Sequence, residues 1–266
     1  MLELWKYQQN NNNQLPKAGS KEDATIIANN VIQRMQLTDE DEIKSTHDTI
    51  FQLCLGCRGQ LNPIATIFGG IVGQEVMKGC SGKYTPLKQM FHFEASNCIP
   101  KNAILNTKAC QPINSRYDGI IATMGVGFVK KLQHTHVFLV GAGALGCELM
   151  KNLAMNGVGT LCGSENDNDN DNDNDNDTNG GNGVTVTDMD TIENSNLCRQ
   201  FLFREWDVQQ EKSTVAARAA TFMNPSFRPR ALNIKVAPDT SSTYNDTFWN
   251  AQDIIINALD NVQARQ

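Results

Sequence analysis

The chain has 266 residues, 40% apolar and 20% charged, which is enough to build a core in one large domain or two small ones. Its formal charge of −6 is local: seven of the 29 acids lie between Ser164 and Asn182, where there is no base, and without them 22 acids face 23 bases. Such a balance argues for neither a nucleic-acid binder nor an acidic-tail protein. The longest apolar run, Ile64 to Met77, is broken by glycine, Gln74 and Glu75 and is too short to span a bilayer.

The opening "MLELWKYQQNNNN" lacks the basic-then-apolar layout of a secretion signal. The eight cysteines form no paired framework, so the expectation is a soluble protein of a reducing interior with free thiols. Gln8 to Ser20 is polar, low in complexity, and reads as a flexible loop. From Lys21 to about Cys57 the pattern is helical, with Ala28, Val31, Ile32 and Met35 at helical spacing and the acidic "TDEDE" capping a second helix. Cys54 and Cys57 could supply two zinc ligands. A structural zinc site usually needs four and no second pair exists, so two buried thiols on one helix are expected instead. Asn62-Pro63 opens a third helix whose apolar content runs nearly all round, predicting burial on most sides. "KQMFHFEA" then reads as a short strand and Pro100 to Pro112 as a connector.

After "RYDG" (Arg116 to Gly119), a helical stretch leads to a strand from His136 to Val140, the turn Gly141-Ala-Gly143-Ala-Leu-Gly146, and a helix. Leu145, Leu149 and Leu153 are expected to pack that helix on a sheet. A second strand ends at Asp188. A helix from Ser213 to Met223, a strand "ALNIKV", and the buried strand "DIIINALD" ending at Asp260 follow. Strands alternating with helices predict an α/β, Rossmann-like, mainly parallel sheet with crossover helices, preceded by a mostly helical segment. Between the glycine helix and the second strand, residues 164–182 carry six Asn-Asp repeats that cannot bury apolar surface, so disorder is expected. Calcium binding is the alternative, but the spaced glycine and terminal glutamate of a calcium loop are missing.

In a dinucleotide-type turn one glycine makes the bend, one lets phosphate approach the backbone, and one lets the helix pack closely. An acid about 20 residues beyond usually holds a ribose hydroxyl. Asp188 lies 42 residues beyond Gly146, and excising the 19-residue insert leaves 23, which assigns Asp188 to the ribose. The glycines alone remain compatible with NAD, FAD or ATP. The next segment discriminates, because Asp190, Asn196, Arg199, Gln200, Arg204 and Lys212 fall within one loop and helix start. A nicotinamide slot needs few cations, whereas cleavage at an α-phosphate needs cations for the developing charge. Arg199 offers a fork and Lys212 a mobile point charge. Asp260-Asn261 ends a strand where parallel sheets bind ligands, and a carboxylate facing phosphates there suits Mg²⁺. Taken singly, Arg199 could pair with a surface acid, Lys212 could be solvated and Asp260 could cap a helix. Together they favour a phosphate site.

"FLVGAGALGCELMKN", "VTDMDTIENSNLCRQFLFREWDV", "KSTVAARAATFMNP" and "NALDNVQAR" closely resemble the active adenylation domain of eukaryotic ubiquitin-activating enzymes, of the ThiF/MoeB-like kind. "LNPIATIFGGIVGQEVMKGCSGKYTPLKQMFHFEA" resembles the end of the inactive, pseudosymmetric half and "RYDG" the start of the active one. The resemblance implies that residues 1–115 are the C-terminal part of the inactive half, and 116–266 the N-terminal part of the active, ATP-binding domain. It implies adenylation of the C-terminal carboxylate of ubiquitin by Mg·ATP, followed by transfer to a catalytic cysteine and on to conjugating enzymes, in cytoplasm and nucleus. Gly141, Gly143, Ala144 and Gly146 would line the nucleotide and Asp188 take the ribose. Asn196, Arg199, Gln200 and Lys212 would bind phosphates. Asp260 would hold Mg²⁺, with Asn261 beside it and Asp190 as a second acid. The implied catalytic set is Arg199, Lys212 and Asp260; the implied partners are ubiquitin, conjugating enzymes and the remainder of the inactive half, with no nucleic acid or membrane.

Three positions depart from the family pattern: Cys198 stands for its usual Asn, Ile120 for Gln and Gln263 for Asp. None of the eight cysteines has the context of the thioester cysteine, and Gln266 comes just after the metal acid, so the fragment is expected to be inactive alone. Single-domain enzymes activating other modifiers begin near "RY", whereas about 115 residues precede it here, which favours the ubiquitin type. An NAD-dependent oxidoreductase or a non-catalytic regulatory half are the rivals of other classes.

Overall fold

The computed structural model describes residues 2–88, 90–91, 93, 95–99, 105–162 and 183–259. The insert at 164–182, together with Asp260, Asn261 and Gln263, lies outside the described residues. The chain divides into two compact units, Met1–Val129 and Lys130–Gln266.

The first unit is helical. α1 (Leu2–Asn10) reaches into the glutamine run expected to be loop, and Asn12 and Asn13 then take left-handed backbone. α2 (Lys21–Met35) and α3 (Glu40–Leu55) begin on side-chain caps, with Ser20 accepting from the Asp23 N–H and Asp39 from the Glu42 N–H. The face that α2 buries is Ala24, Ile27 and Ala28, a rotation away from the predicted set, and Met35 is exposed. Cys54 is buried on α3, but Cys57 lies past its end, and no metal-holding cluster occurs among the described residues.

α4 (Asn62–Ser81) forms as predicted, with proline in its first turn, yet none of its residues is buried. Val72 and Val76 are each 58% exposed and Met77 64%. The all-round apolar pattern reports a preference for burial, but among the described residues the helix is only partly covered, with Phe68 meeting the Phe91 and Phe93 rings edge-on at 6.0 and 6.2 Å. The expected strand at 88–95 is not observed either: its described residues 88, 90, 91, 93 and 95 lie outside helix and strand, since a strand needs a pairing partner. Described residues 105–112 connect onward through a turn, and α5 (Asp118–Met124) and α6 (Val126–Gln133) are separated by Gly125. The boundary between the units falls within α6.

The second unit is α/β. β1 (Val137–Val140), β2 (Val184–Thr187), β3 (Arg230–Leu232) and β4 (Ile254–Asn257) form a parallel sheet in the order β3-β2-β1-β4. Between them come α7 (Ala144–Asn156) after β1, α8 (Lys212–Met223) after β2, and α9 (Asp246–Asn250) before β4. Alternate side chains of β1 separate two packed faces. Val137 and Leu139 join Met150, Ala154, Val215 and Phe227 in the main core. Phe138 and Val140 join Tyr244, Phe248 and Trp249, and the Phe138 and Phe248 rings meet edge-on at 4.9 Å. β4, predicted to be buried, is mostly exposed, with Ile254 and Ile255 about half accessible. Among the described strands it is one of the two edges, the other being β3, so it is paired on one side only, by β1.

The buried face of α7 also differs from the leucine stripe. Gly146, Cys147, Met150 and Ala154 face the core, whereas Leu145 is 56% exposed and Leu149 and Leu153 sit at its margin. Gly146 decides this rotation, because a Cβ there would lie 2.1 Å from the Gly141 carbonyl oxygen. Where the chain leaves α7 and returns to β2, Gly159 and Gly183 lie backbone to backbone: the Gly183 N–H donates to the Gly159 carbonyl at 3.3 Å, and a Cβ on Gly183 would come 2.4 Å from the Gly159 Cα.

Candidate functional site

A cavity of about 820 Å³ opens beside the C-terminal ends of the parallel strands, where open α/β sheets hold ligands. Its floor is the glycine turn. Gly141 has φ +102° and the carbonyl of Ala258 crowds it at 2.8 Å from a hypothetical Cβ, so this bend requires glycine. Gly143 precedes α7 in extended backbone and a Cβ there would meet nothing within 4 Å. Strand ends are tied together around it: the Gly141 N–H donates to Thr187 O at 2.8 Å, Ala258 N–H to Val140 O at 2.8 Å, and Asp188 N–H to Leu232 O at 3.1 Å.

Asp188 follows β2 directly. Its Oδ2 accepts the Ala142 N–H at 2.7 Å and its Oδ1 the Asp190 N–H at 2.9 Å. One carboxylate thus clamps the glycine turn to the next loop while keeping lone pairs for a ligand hydroxyl. That loop is anchored to the start of α8 by the Thr191–Glu211 bridge and by the Lys212 N–H donating to Asp190 O at 3.1 Å. At the first position of α8 the Lys212 Nζ meets Asp190 Oδ2 at 2.8 Å, with the lysine side chain 10% exposed and the aspartate 58%.

A short helical turn at Asn194–Asn196 presents the remaining polar groups. Asn196 is buried, and its Oδ1 accepts the Glu193 N–H at 3.0 Å, so this side chain braces the loop. The Asn196 carbonyl accepts the N–H groups of Arg199 and Gln200 at 3.1 and 2.9 Å. Arg199 is exposed and its Nη1 rests on the Ser195 carbonyl at 2.7 Å. Gln200 is only 3% exposed and its Oε1 has no hydrogen-bond partner among the described residues. A buried amide oxygen without a partner costs about 1–3 kcal/mol, which a ligand or water in the cavity would relieve.

Gly141, Gly143, Ala144, Asp188, Asp190, Asn196, Arg199, Gln200 and Lys212 all line this one cavity. Gly146 does not; its place is against Gly141, in the packing of α7. Arg204 is also off the wall, donating to the Phe201 and Phe203 carbonyls at 2.5 and 2.9 Å. Cys198 is exposed, with Sγ 3.3 Å from Ser195 O, and it lines no part of the cavity. Ile120 is buried in the first unit. The sequence reading missed one wall altogether: Ile234, Lys235, Val236 and Leu259. Thr187 Oγ1 and the Tyr244 hydroxyl both hold the Ile234 carbonyl, and Lys235 pairs with Asp239 at 2.8 Å. The available signal was their position just past the ends of β3 and β4.

The ThiF family model matches residues 117–266. The chain is 43% identical over 255 residues to ubiquitin-like modifier-activating enzyme 1 of Dictyostelium discoideum, covering 96% of this chain and 23% of that protein. It is likewise 43% identical over 251 residues to a ubiquitin-activating enzyme of Arabidopsis thaliana, covering 94% of this chain and 22% of the relative. The chain therefore spans less than a quarter of the length of these relatives. Among solved structures, TcdA (CsdL) superposes with a TM-score of 0.44 at 23% identity, over 56% of this chain and 49% of its own. That similarity carries nothing about ligands.

Proposed function

The chain belongs to the ThiF family, and we propose that it is the nucleotide-binding part of a ubiquitin-activating enzyme, where Mg·ATP and the C-terminal carboxylate of ubiquitin form an acyl adenylate and pyrophosphate. The observation that carries this reading is the convergence of the glycine turn, Asp188, Arg199, Gln200 and Lys212 on one cavity. The similarity to ubiquitin-activating enzymes supplies the acyl substrate. In this reading Asp188 receives the ribose hydroxyls on its remaining lone pairs. Arg199 swings from the Ser195 carbonyl to phosphate oxygens, exchanging a neutral acceptor for a charged one. Lys212 exchanges Asp190 for the same phosphates.

The donor set suits magnesium, which takes one or two carboxylates together with phosphate oxygens and water. Asp190 stands on the cavity wall with its carboxylate more than half exposed, and with Asp260 it would hold the ion. Bound there, magnesium would supply Lewis-acid stabilisation of phosphoryl charge. The carboxylate oxygen of ubiquitin attacks the α-phosphorus, the bond to the bridging β-phosphate oxygen breaks, and the electron pair leaves with pyrophosphate. Arg199 and Lys212 stabilise the charge that accumulates on the phosphoryl oxygens. Ubiquitin, conjugating enzymes and the rest of the inactive half are the proposed partners, and cytoplasm and nucleus the proposed location.

Equilibrium binding of nucleotides to the chain tests the reading. Mg·ATP is expected to bind and NAD not to, and Lys212→Ala is expected to weaken Mg·ATP by at least about tenfold, the loss of a charged hydrogen bond. Binding of NAD in preference to Mg·ATP, or full retention of Mg·ATP by Lys212→Ala, would overturn it.

A further inference from the structure

The first unit holds a cavity of about 530 Å³ that the adenylation reading does not use. Lys17, Arg58, Gln60, Thr107, Gln111 and Asp118 line it. These side chains come from separated segments that the fold gathers at one depression. Arg58 is held in place from behind: Nε donates to the Pro16 carbonyl at 2.7 Å and Nη2 to the Leu15 carbonyl. Both acceptors are neutral, so they orient the guanidinium without cancelling its charge, and Nη1 takes no part in either bond. Lys17 follows in the chain directly after those carbonyls. Its backbone N–H donates to Asp23 Oδ2 at 3.3 Å, and Lys17 lines the cavity as a second cationic residue.

Asp118 is the one carboxylate among the described lining residues, a single negative charge against the two positive charges of Arg58 and Lys17. Its Oδ1 is committed to the Ile113 N–H, the Ser115 N–H and the Ser115 hydroxyl at 3.0, 3.2 and 3.1 Å. Gln60, Gln111 and Thr107 add neutral donors. A rigid forked cation, a mobile point cation and amide and hydroxyl donors are together the chemistry that recognises a phosphate group. The volume far exceeds the roughly 30 Å³ share of one water, so the cavity has room for more than a bare ion. Its apolar lining is Ala18, Cys110, Pro112 and Ala122, with no aromatic ring among the described lining residues for a base to stack on.

We propose that this cavity binds a phosphorylated, otherwise polar small molecule, with Arg58 and Lys17 holding the phosphate. The test uses inorganic phosphate as probe and the full chain, titrated by calorimetry and followed by ³¹P line width at constant chloride. Saturable binding is expected in the wild type. Lys17→Gln should weaken it about tenfold, as for loss of one charged contact, and Arg58→Lys should weaken it similarly while keeping the charge. Lys17→Gln guards against misfolding, since its side chain makes no hydrogen bond or ion pair among the described residues. Lys212→Ala, which disables the nucleotide cavity, is expected to retain the phosphate binding, so this proposal and the nucleotide reading fail separately. Absence of saturable binding, binding unaffected by Lys17→Gln, or binding lost in Lys212→Ala would each overturn the assignment.

Discussion

Gly146→Ala tests the packing that sets the nucleotide turn. The new Cβ would lie 2.1 Å from the Gly141 carbonyl oxygen and 2.9 Å from its carbon, where real Cβ atoms essentially never come within 3.0 Å. The start of α7 must therefore retreat by about 0.9 Å, and because both partners are backbone no side chain can yield. Overpacking of this kind costs up to about 3 kcal/mol. Better helix propensity returns about 1 kcal/mol. The net loss of about 2 kcal/mol corresponds to roughly 4–8 °C in the melting of a domain of this size. Gly143→Ala is the control: its position is open and its backbone extended, so its melting temperature should stay within about 1 °C of wild type. Its methyl would nonetheless stand on the cavity floor and should weaken Mg·ATP. Thermal unfolding by circular dichroism, paired with nucleotide titration, separates the two. A Gly146→Ala protein melting with the wild type would refute the close-approach argument.

Gln200→Met replaces a buried amide, whose oxygen has no partner among the described residues, with an apolar side chain of similar shape; melting temperature should hold or rise while Mg·ATP affinity falls, and a clear loss of stability would contradict this. Burial pushes the Cys147 thiol up to about 12, so its folded pKa lies above its unfolded one. The associated stability is fully present below the ordinary thiol pKa and is lost as pH rises above it toward about 12; denaturant unfolding above the ordinary thiol pKa of 9.0 should show a decline that Cys147→Ala lessens. For Asp118, partial desolvation raises the pKa, but the N–H groups of Ile113, Ser115 and Asn114 and the Ser115 hydroxyl outweigh it and hold the carboxyl below its usual range. Its contribution is present above the ordinary carboxylate pKa and disappears as pH falls through the depressed one, so Asp118→Asn should flatten the acid limb of the stability–pH curve.

Local chemistry was what the sequence made legible. The β1 turn and α7 follow from consecutive residues, and Asp188 could be placed because only one strand separates it from the insert. Features that depend on neighbours were less legible. α4 and β4 have apolar sequences, yet burial is a property of what covers them, and the described residues leave both largely exposed. The leucines of α7 have the right period and the wrong phase, because the contact of Gly146 with Gly141 outranks side-chain size in setting the rotation. The Ile234–Val236 wall was not legible because two of its three residues are apolar and the third, Lys235, sits in no motif; the topology alone brings them beside the turn.

The contact between Gly159 and Gly183 has a bearing on how this protein can change length. The two glycines hold the exit and the re-entry of the chain side by side, so the separation of these two points is set by their own contact and not by the number of residues between them. The Asn-Asp tract can therefore expand or contract at this seam while the spacing from glycine turn to Asp188 stays the same in space.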